Sequence, residues 1–208
     1  KSRFSDKRPY AEKAISSQFL DTLTRKNSSS GLDLEFVTDE AMKSKVLHLH
    51  SDAMQAASSN NKFMREVAKY LRSNITRKTD GMPGFVSGIP TLPSIVGSKV
   101  LWLFPRISKK IAEKEVKNVV AKSAGYGVFF CDGYSVDDLL KIGRTYQRTV
   151  LSLRAQGIHD ALLTAVVSRD SYCKKLQTIL GSPKRPRLLF RFGYPVDGEI
   201  VHTPRASL

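Results

Sequence analysis

The strongest constraint on the fold is a short apolar run followed by one long helix, within residues 125–157. Residues 126–131 are apolar and follow Gly125, a pattern typical of a buried central strand. Asp132-Gly133 then turns the chain, and Ser135 precedes two acids that suit the first turn of a helix. Apolar residues recur on this helix until Gly157, so the sequence predicts a buried strand followed by a helix over about 135–156.

Weaker patterns of the same two kinds occupy the rest of the chain. Further strands are predicted at residues 32–37, 161–167 and 187–192, and further helices at 14–25, at 63–71, at 108–122, at 168–180 and after an N-cap at Thr38. Because helices separate the strands, we predict one domain over residues 1–208, built in layers around a central sheet.

Two segments lack regular patterning. Residues 79–97 are rich in Gly and Pro, which predicts a lid-like loop without long regular elements, although a surface excursion without a function is an equal alternative. Residues 196–208 are polar and predict an extended tail. The chain begins at Lys1 without an initiating Met, so we also consider it the carboxyl-terminal part of a longer protein.

The charge of the chain is unusual. The chain has 34 Lys and Arg residues against 19 Asp and Glu, a net charge of +15. Such an excess attracts nucleic acid, an acidic membrane surface or a phosphorylated small molecule. Nucleic acid is the least favoured of these partners, because most aromatic residues lie in apolar stripes rather than among the charges. Basic residues crowd both chain ends, where Arg3, Arg8 and Arg205 are candidates to bind a phosphate.

Signals for other classes of protein are missing from the sequence. No apolar run has the length of a membrane span, two cysteines do not make a disulfide scaffold, and no Cys and His cluster has zinc-ligand spacing. We find no catalytic motif and name no catalytic or metal-binding residue. Cys131 is interpreted as a small buried residue, and His159 as a histidine of a surface loop.

A succession of segments in the carboxyl-terminal half resembles the flavin-dependent nitroreductase family. They are residues 123–130, 138–151 with Gly143 and Gln147, 154–158, 176–181, 187–195 ending in Gly-Tyr-Pro, and 203–205 ending in Pro-Arg. In the amino-terminal half, residues 6–10, 32–39 and 63–82 are similar to a divergent branch that includes flavin-sequestering relatives. Two family motifs differ here, since Arg3 or Arg8 approximates the usual arginine signature and Leu163-Thr-Ala-Val replaces Pro-x-Glu-Gly.

The resemblance implies an α+β, three-layer fold with a mixed, mainly antiparallel sheet and one long central helix. It also implies FMN at a homodimer interface, with its phosphate near Arg205 and Arg3 or Arg8, and its ring near Leu163 and Thr164. The implied activity passes hydride from NAD(P)H through the flavin to a nitro or quinone-type acceptor. We expect a bacterial, cytoplasmic protein. The alternatives are a flavin-storage protein without activity, a partner unit missing before Lys1, or a basic interaction module.

Overall fold

The computed structural model describes residues 4–28, 32–87, 89–100 and 105–198. Its chain divides into two compact units. The first, here called the sheet unit, contains residues Lys1–Ala53 and Glu115–Asp197. The second, here called the helical unit, contains Met54–Lys114 and Gly198–Leu208. Among the described residues, none of the helices combines the length and apolar character needed to cross a membrane.

The elements follow one another as α1 (Ser17–Ser28), β1 (Asp33–Val37), α2 (Glu40–Ser58), α3 (Asn61–Tyr70), β2 (Leu71–Arg72), β3 (Met82–Pro83), a 3₁₀ turn (Gly84–Ser87), α4 (Thr91–Val100), α5 (Pro105–Glu115), a π-helical turn (Val116–Val120), β4 (Gly125–Phe130), α6 (Val136–Ala155), β5 (His159–Leu162), α7 (Thr164–Val167), α8 (Asp170–Leu180) and β6 (Pro186–Gly193).

The sheet unit is built on four strands in the order β1-β4-β6-β5. All three pairings are antiparallel, and each joins two strands that helices separate along the chain. Side chains alternate across β4, where Val128 and Phe130 face one layer of helices and Phe129 faces the other. This is the predicted α+β arrangement of three layers, and the prediction of a mainly antiparallel sheet is confirmed.

Two apolar cores lie on the two faces of this sheet. On one face, α1 and α6 pack on Phe129, Phe190 and Phe192, and Leu153 of α6 is fully buried. On the other face, α2, α7 and α8 pack on Val128 and the neighbouring strand residues. The predicted long helix therefore supplies one of the two covering layers, as its apolar residues require.

Capping residues explain where several helices begin and end. Ser135 and Asp138 form a reciprocal capping box at the start of α6, as the acids after Ser135 predict. Gly181 ends α8 in a left-handed conformation with φ of 62°. The predicted cap at Thr38 is wrong by one residue, because the Asp39 carboxylate accepts the Met42 N–H at 2.9 Å and α2 begins at Glu40.

Two other segments differ from the sequence prediction. The strand predicted over residues 161–167 ends at Leu162, and α7 begins at Thr164 after the N–H of Leu163 bonds to the carbonyl of Leu189 at 2.8 Å. Segment 79–97 is more regular than its composition predicts, since it holds β3, the 3₁₀ turn and the start of α4. Its lid-like role stays a prediction, as does the single domain over the whole chain.

Among the described side chains of the helical unit, few apolar ones are buried. α3 has no buried residue, and its cap is the Asn60 side chain, which accepts the Phe63 N–H at 3.1 Å. Asn74 organises the centre of the unit with hydrogen bonds to the Ser94 hydroxyl, the Ile89 carbonyl and the Phe85 N–H. Polar contacts thus hold a large part of the helical unit.

Candidate functional site

The amino-terminal segment lies across the β5–β6 edge of the sheet and is held there by backbone hydrogen bonds. The Asp6 N–H donates to the Asp160 carbonyl of β5 at 2.9 Å. Tyr10 forms an isolated antiparallel bridge with Pro195, just beyond β6. Adding a Cβ at Gly193 would place it 2.7 Å from the Tyr10 Cβ, so glycine allows this close approach.

A buried carboxylate at Asp6 is the centre of this contact. Its Oδ2 accepts from Arg8 at 2.8 Å and lies 2.6 Å from Nδ1 of His159, while Oδ1 accepts the Arg8 N–H at 3.0 Å. Burial alone would raise the pKa of Asp6, but these hydrogen bonds outweigh it and lower the pKa to about 2. Asp6 is therefore an anion at neutral pH, although its side chain is only 2% exposed.

His159 is not the surface-loop histidine that the sequence indicates. It is the first residue of β5, its side chain is 14% exposed, and its ring packs edge-on to Phe4. Burial is the main cause that lowers the pKa of His159, and the hydrogen bond that its ring donates to Asp6 opposes this effect. A neutral imidazole beside an ionised Asp6 carries its proton on Nδ1, which donates to the carboxylate.

Arg191 lies inside the sheet beneath the amino-terminal segment. It is 2% exposed, and its guanidinium donates to the carbonyls of Asp6 at 2.7 Å and Arg8 at 2.9 Å. The same group stacks on the Tyr10 ring at 4.2 Å. Desolvation lowers the pKa of Arg191 from its ordinary value. A buried charge at this point fixes the path of the chain from Asp6 to Tyr10.

A second buried acid connects β5 to the long helix. The Tyr146 hydroxyl of α6 donates to Oδ2 of Asp160 at 2.6 Å, and Arg154 lies 3.8 Å from Oδ1. Arg154 also donates to the Phe4 carbonyl at 3.0 Å and stacks on the Phe4 ring at 4.6 Å. Together, Asp6, Arg8, Tyr146, Arg154, His159, Asp160 and Arg191 form what we call the buried polar cluster.

Sequence reasoning missed most of the buried polar cluster. One usable signal was Arg191, a charge placed between Phe190 and Phe192 in an otherwise apolar strand. A charge is almost never fully buried without partners, so this pattern implies a second group to pair with it. The partners lie more than 180 residues away at the other chain end, and nothing in the sequence identifies them.

The structure places three of the five predicted site residues. Arg8 is 18% exposed on its side chain, and its guanidinium bonds to Asp6 and, at 3.3 Å, to the Val196 carbonyl. Leu163 is buried and Thr164 is exposed, directly after β5. Arg3 and Arg205 lie outside the described residues, as do residues 199–208 of the predicted extended tail.

The placed residues lie near opposite ends of β5. Arg8 approaches the start of the strand, where its partner Asp6 also contacts His159. Leu163 and Thr164 follow the end of the strand, four or five residues farther along the chain. At about 3.3 Å per residue, that separation is roughly 13 Å.

A separate exposed surface lies on α6. Its outer side carries four aliphatic side chains that are between 44% and 73% exposed: Val136, Leu139, Leu140 and Leu151. Gly143 lies among them, and a Cβ built there would meet nothing within 4 Å. Among the described residues nothing packs closely on this glycine, so its small size is available to a second molecule.

The described side chains do not by themselves offer a reaction. Within the residues that the structure describes, no three His, Cys, Asp or Glu side chains are grouped to hold a metal ion. Cys131 and Cys173 are buried, and burial raises the pKa of Cys173, so the Cys173 thiol does not resemble an activated thiolate. Because the buried acids are engaged with arginines, tyrosine or histidine, redox chemistry here would have to come from a bound group.

Comparison with known proteins gives a result at the level of structure only. No protein-family model matches the chain, and the search of curated proteins finds no significant match. Among solved structures, a nitroreductase with bound FMN from Bacteroides fragilis matches 99% of this chain and 91% of its own, with a TM-score of 0.59 and 11% identity. The FMN-dependent nitroreductase NfnB from Mycobacterium smegmatis, in complex with NADPH, matches 99% and 90%, with a TM-score of 0.59 and 13% identity.

A third solved structure agrees with these two. An FMN-dependent nitroreductase from Clostridium difficile matches 97% of this chain and 88% of its own, with a TM-score of 0.53 and 12% identity. The match extends over nearly the whole chain in each case. This chain therefore has the nitroreductase fold.

Proposed function

We propose that the protein binds FMN and acts as a nitroreductase-like oxidoreductase. The observation that carries the proposal is the structural match of almost the entire chain to nitroreductases whose names specify FMN and NADPH. When bound, the flavin supplies the hydride chemistry, from NAD(P)H to a nitro or quinone-type acceptor. The protein's part is to bind, orient and shield.

The described residues fit the ring end of such a cofactor. Thr164 presents an exposed side chain at the start of α7, while Leu163 is held by its N–H bond to Leu189 and by burial. We assign the ring-side contacts to these two residues. Leu162 beside them is also 39% exposed and adds apolar surface.

At the phosphate end we assign Arg205, together with Arg3 or Arg8. Arginine is suited to a phosphate because its guanidinium donates two parallel hydrogen bonds. Arg8 already serves Asp6 and the Val196 carbonyl, so Arg205 and Arg3 carry the larger share in this proposal. The buried polar cluster contributes indirectly, since it fixes the segment that follows Arg3.

We also propose that the active form is a homodimer joined through the exposed side of α6. The aliphatic residues there are too exposed to add to this chain's own core, and Gly143 lets a second backbone come near. Leu140→Glu should give a monomer in analytical ultracentrifugation. Lys45→Glu, on α2, should leave the assembly unchanged, since Lys45 is exposed and lies away from α6. A dimer that survives Leu140→Glu would place the interface elsewhere.

Absorbance spectroscopy tests the central proposal. Protein purified without denaturation, or mixed with FMN and desalted, should retain a flavin spectrum with equimolar FMN. Consumption of NAD(P)H with a nitroaromatic or quinone acceptor should follow. Retained flavin without this activity would favour the storage protein, and protein that cannot hold FMN would refute both functions.

A matched pair of variants tests the phosphate assignment. Arg205→Ala should weaken FMN binding about tenfold to a hundredfold, because it removes a charge-assisted contact. Arg185→Ala is the control, since the Arg185 guanidinium pairs with Asp170 at 2.6 Å on α8. Equal FMN affinity in both variants would contradict the role of Arg205.

A further inference from the structure

In residues 91–96 of helix α4, the buried side chain is polar and the most exposed ones are apolar. Ser94 is 4% exposed, and its hydroxyl accepts the Asn74 N–H at 2.9 Å and donates to the Thr91 carbonyl at 2.7 Å. Leu92 is 79% exposed, and Ile95 and Val96 are 44% and 55% exposed. Ile95 and Val96 come three and four residues after Leu92, so the three side chains form one outward apolar stripe.

Helix α3, which packs against α4, also exposes apolar residues. Phe63 and Tyr70 are 47% and 63% exposed and lie seven residues apart, hence on the same side of the helix. Aliphatic and aromatic side chains are thus turned outward on two adjacent helices. We call the outward side chains of α3 and α4 the α3–α4 surface.

The helical unit also holds a disproportionate share of the positive charge. Residues 54–114 contain eleven Lys and Arg against three Asp and Glu. Two of those acids are already paired, Glu66 with Lys69 at 2.7 Å and Asp80 with Arg72 at 2.9 Å. Lys62 on α3 and Arg77 and Lys78 after it are exposed. More than half of the net charge of +15 therefore comes from under a third of the chain.

We propose that the α3–α4 surface docks on an anionic lipid membrane. The helical unit has both components of interfacial binding, exposed cations that can meet lipid phosphates and exposed apolar groups that can enter the acyl boundary. Leu92, Ile95 and Val96 offer nothing to a nucleic-acid backbone, which disfavours that polyanion. The charge also disfavours a second copy, because two such units would repel each other.

The dimensions of α4 fit a helix that lies in the membrane surface. Its ten residues span about 15 Å, half of the roughly 30 Å hydrocarbon core. Membrane docking would account for charge that one FMN phosphate cannot use. It does not depend on the flavin, so it can fail or succeed independently of the proposed oxidoreductase function.

Vesicle co-sedimentation of the full chain tests the proposal. The protein should sediment with vesicles of phosphatidylcholine mixed with phosphatidylglycerol, more weakly as salt rises, and remain in solution with phosphatidylcholine alone. Joint replacement Leu92→Ser and Ile95→Ser should weaken binding about tenfold. Lys62→Gln and Lys78→Gln should each weaken it about fivefold.

Matched controls separate this surface from other exposed groups. Tyr134→Ser, just before α6, removes an aromatic side chain that is 73% exposed, close to the 79% of Leu92, and Lys45→Gln removes an exposed charge of the sheet unit. Both should bind vesicles like the unaltered protein, and circular dichroism should show all variants folded. Absence of binding to anionic vesicles, equal losses in the controls, or a change in oligomeric state with Leu92→Ser would overturn the proposal.

Discussion

The sheet unit and the helical unit use polar and apolar groups in opposite ways. In the sheet unit, Asp6, Asp160 and Arg191 are each 2% exposed and each has charged or hydrogen-bonding partners. In the helical unit, Ser94 and Asn74 face inward while Leu92 faces outward. Buried charges with partners fix one chain path, whereas exposed apolar groups mark a surface that something else covers.

This difference indicates that the sheet unit contributes more to the free energy of unfolding than the helical unit does. The sheet unit, with its two apolar cores and paired buried charges, tolerates substitution poorly, because each deleted group leaves a void or an unpaired charge. A helix without buried residues, such as α3, contributes little to global unfolding. We therefore expect equivalent substitutions to have unequal effects in the two units.

The largest difference should come from two acids that both pair with arginine. Asp6→Asn should lower the free energy of unfolding by about 3–5 kcal/mol, because it leaves Arg8 and the buried histidine contact without their anion. Asp80→Asn breaks the ion pair with Arg72, in which the Asp80 side chain is 66% exposed. This change should leave the free energy of global unfolding unchanged. Urea denaturation measures both, and a small loss with Asp6→Asn would refute the central role of this carboxylate.

A pair of leucines gives the next largest contrast. Leu153→Ala in α6 should cost about 2–5 kcal/mol, because Leu153 is fully buried and the sheet cannot close over the cavity. Leu92→Ala should cost less than about 0.5 kcal/mol, since Leu92 is 79% exposed. Thermal and urea unfolding would show this, and similar losses would mean that α4 is covered by its own chain.

How far the sequence predicts the fold depends on the range of the signals. The long helix, its capping Ser135 and the strands at β1, β4 and β6 follow from local periodicity and capping residues. The end of β5 at Leu162 does not, because the Leu163 N–H is redirected to Leu189 by a contact between distant segments. Helix α4 is not predicted either, because the Gly and Pro residues within 79–97 favour a loop.

The family resemblance predicted the fold correctly, but the sequence predicted few of the contacts in the candidate site. Leu163 and Thr164 lie together after β5, but Arg8 serves Asp6, a partner that no motif indicated. The pairing of Asp6 with His159 joins residues 153 positions apart. Only a fold that brings the amino-terminal segment to β5 reveals it, because spacing in sequence carries no information on that contact.

Acidification below pH 6.5 should destabilise the sheet unit because of the buried His50. This residue is 3% exposed, its Nδ1 has no hydrogen-bond partner among the described residues, and burial with the nearby charge of Arg191 lowers its pKa to about 4. The unfolded chain takes up the proton near pH 6.5, before the folded one does. Stability that is present above pH 6.5 is therefore lost toward pH 4, by about 1.4 kcal/mol per pH unit.

Two histidine variants on the same helix isolate that contribution. His50→Leu should flatten the loss of stability between pH 6.5 and pH 4, although His159 retains a loss of the same sign. His48→Leu, at an exposed position of α2, is the matched control for removing a histidine from the same helix. Urea denaturation at several pH values gives the slopes, and identical slopes in the two variants would contradict a buried neutral His50.

The smallest expected effect compares two helix caps. Ser135→Ala removes the capping box of α6, a helix anchored by buried residues, and should lower global stability by about 1 kcal/mol. Asn60→Ala removes the bond from the Phe63 N–H at the start of α3, which has no buried residue. Its effect should therefore appear as faster amide exchange in the first turn of α3 while the urea midpoint stays constant. If Asn60→Ala instead shifts the midpoint as far as Ser135→Ala, α3 unfolds with the rest of the protein, and the contrast between the two units is one of surface chemistry alone.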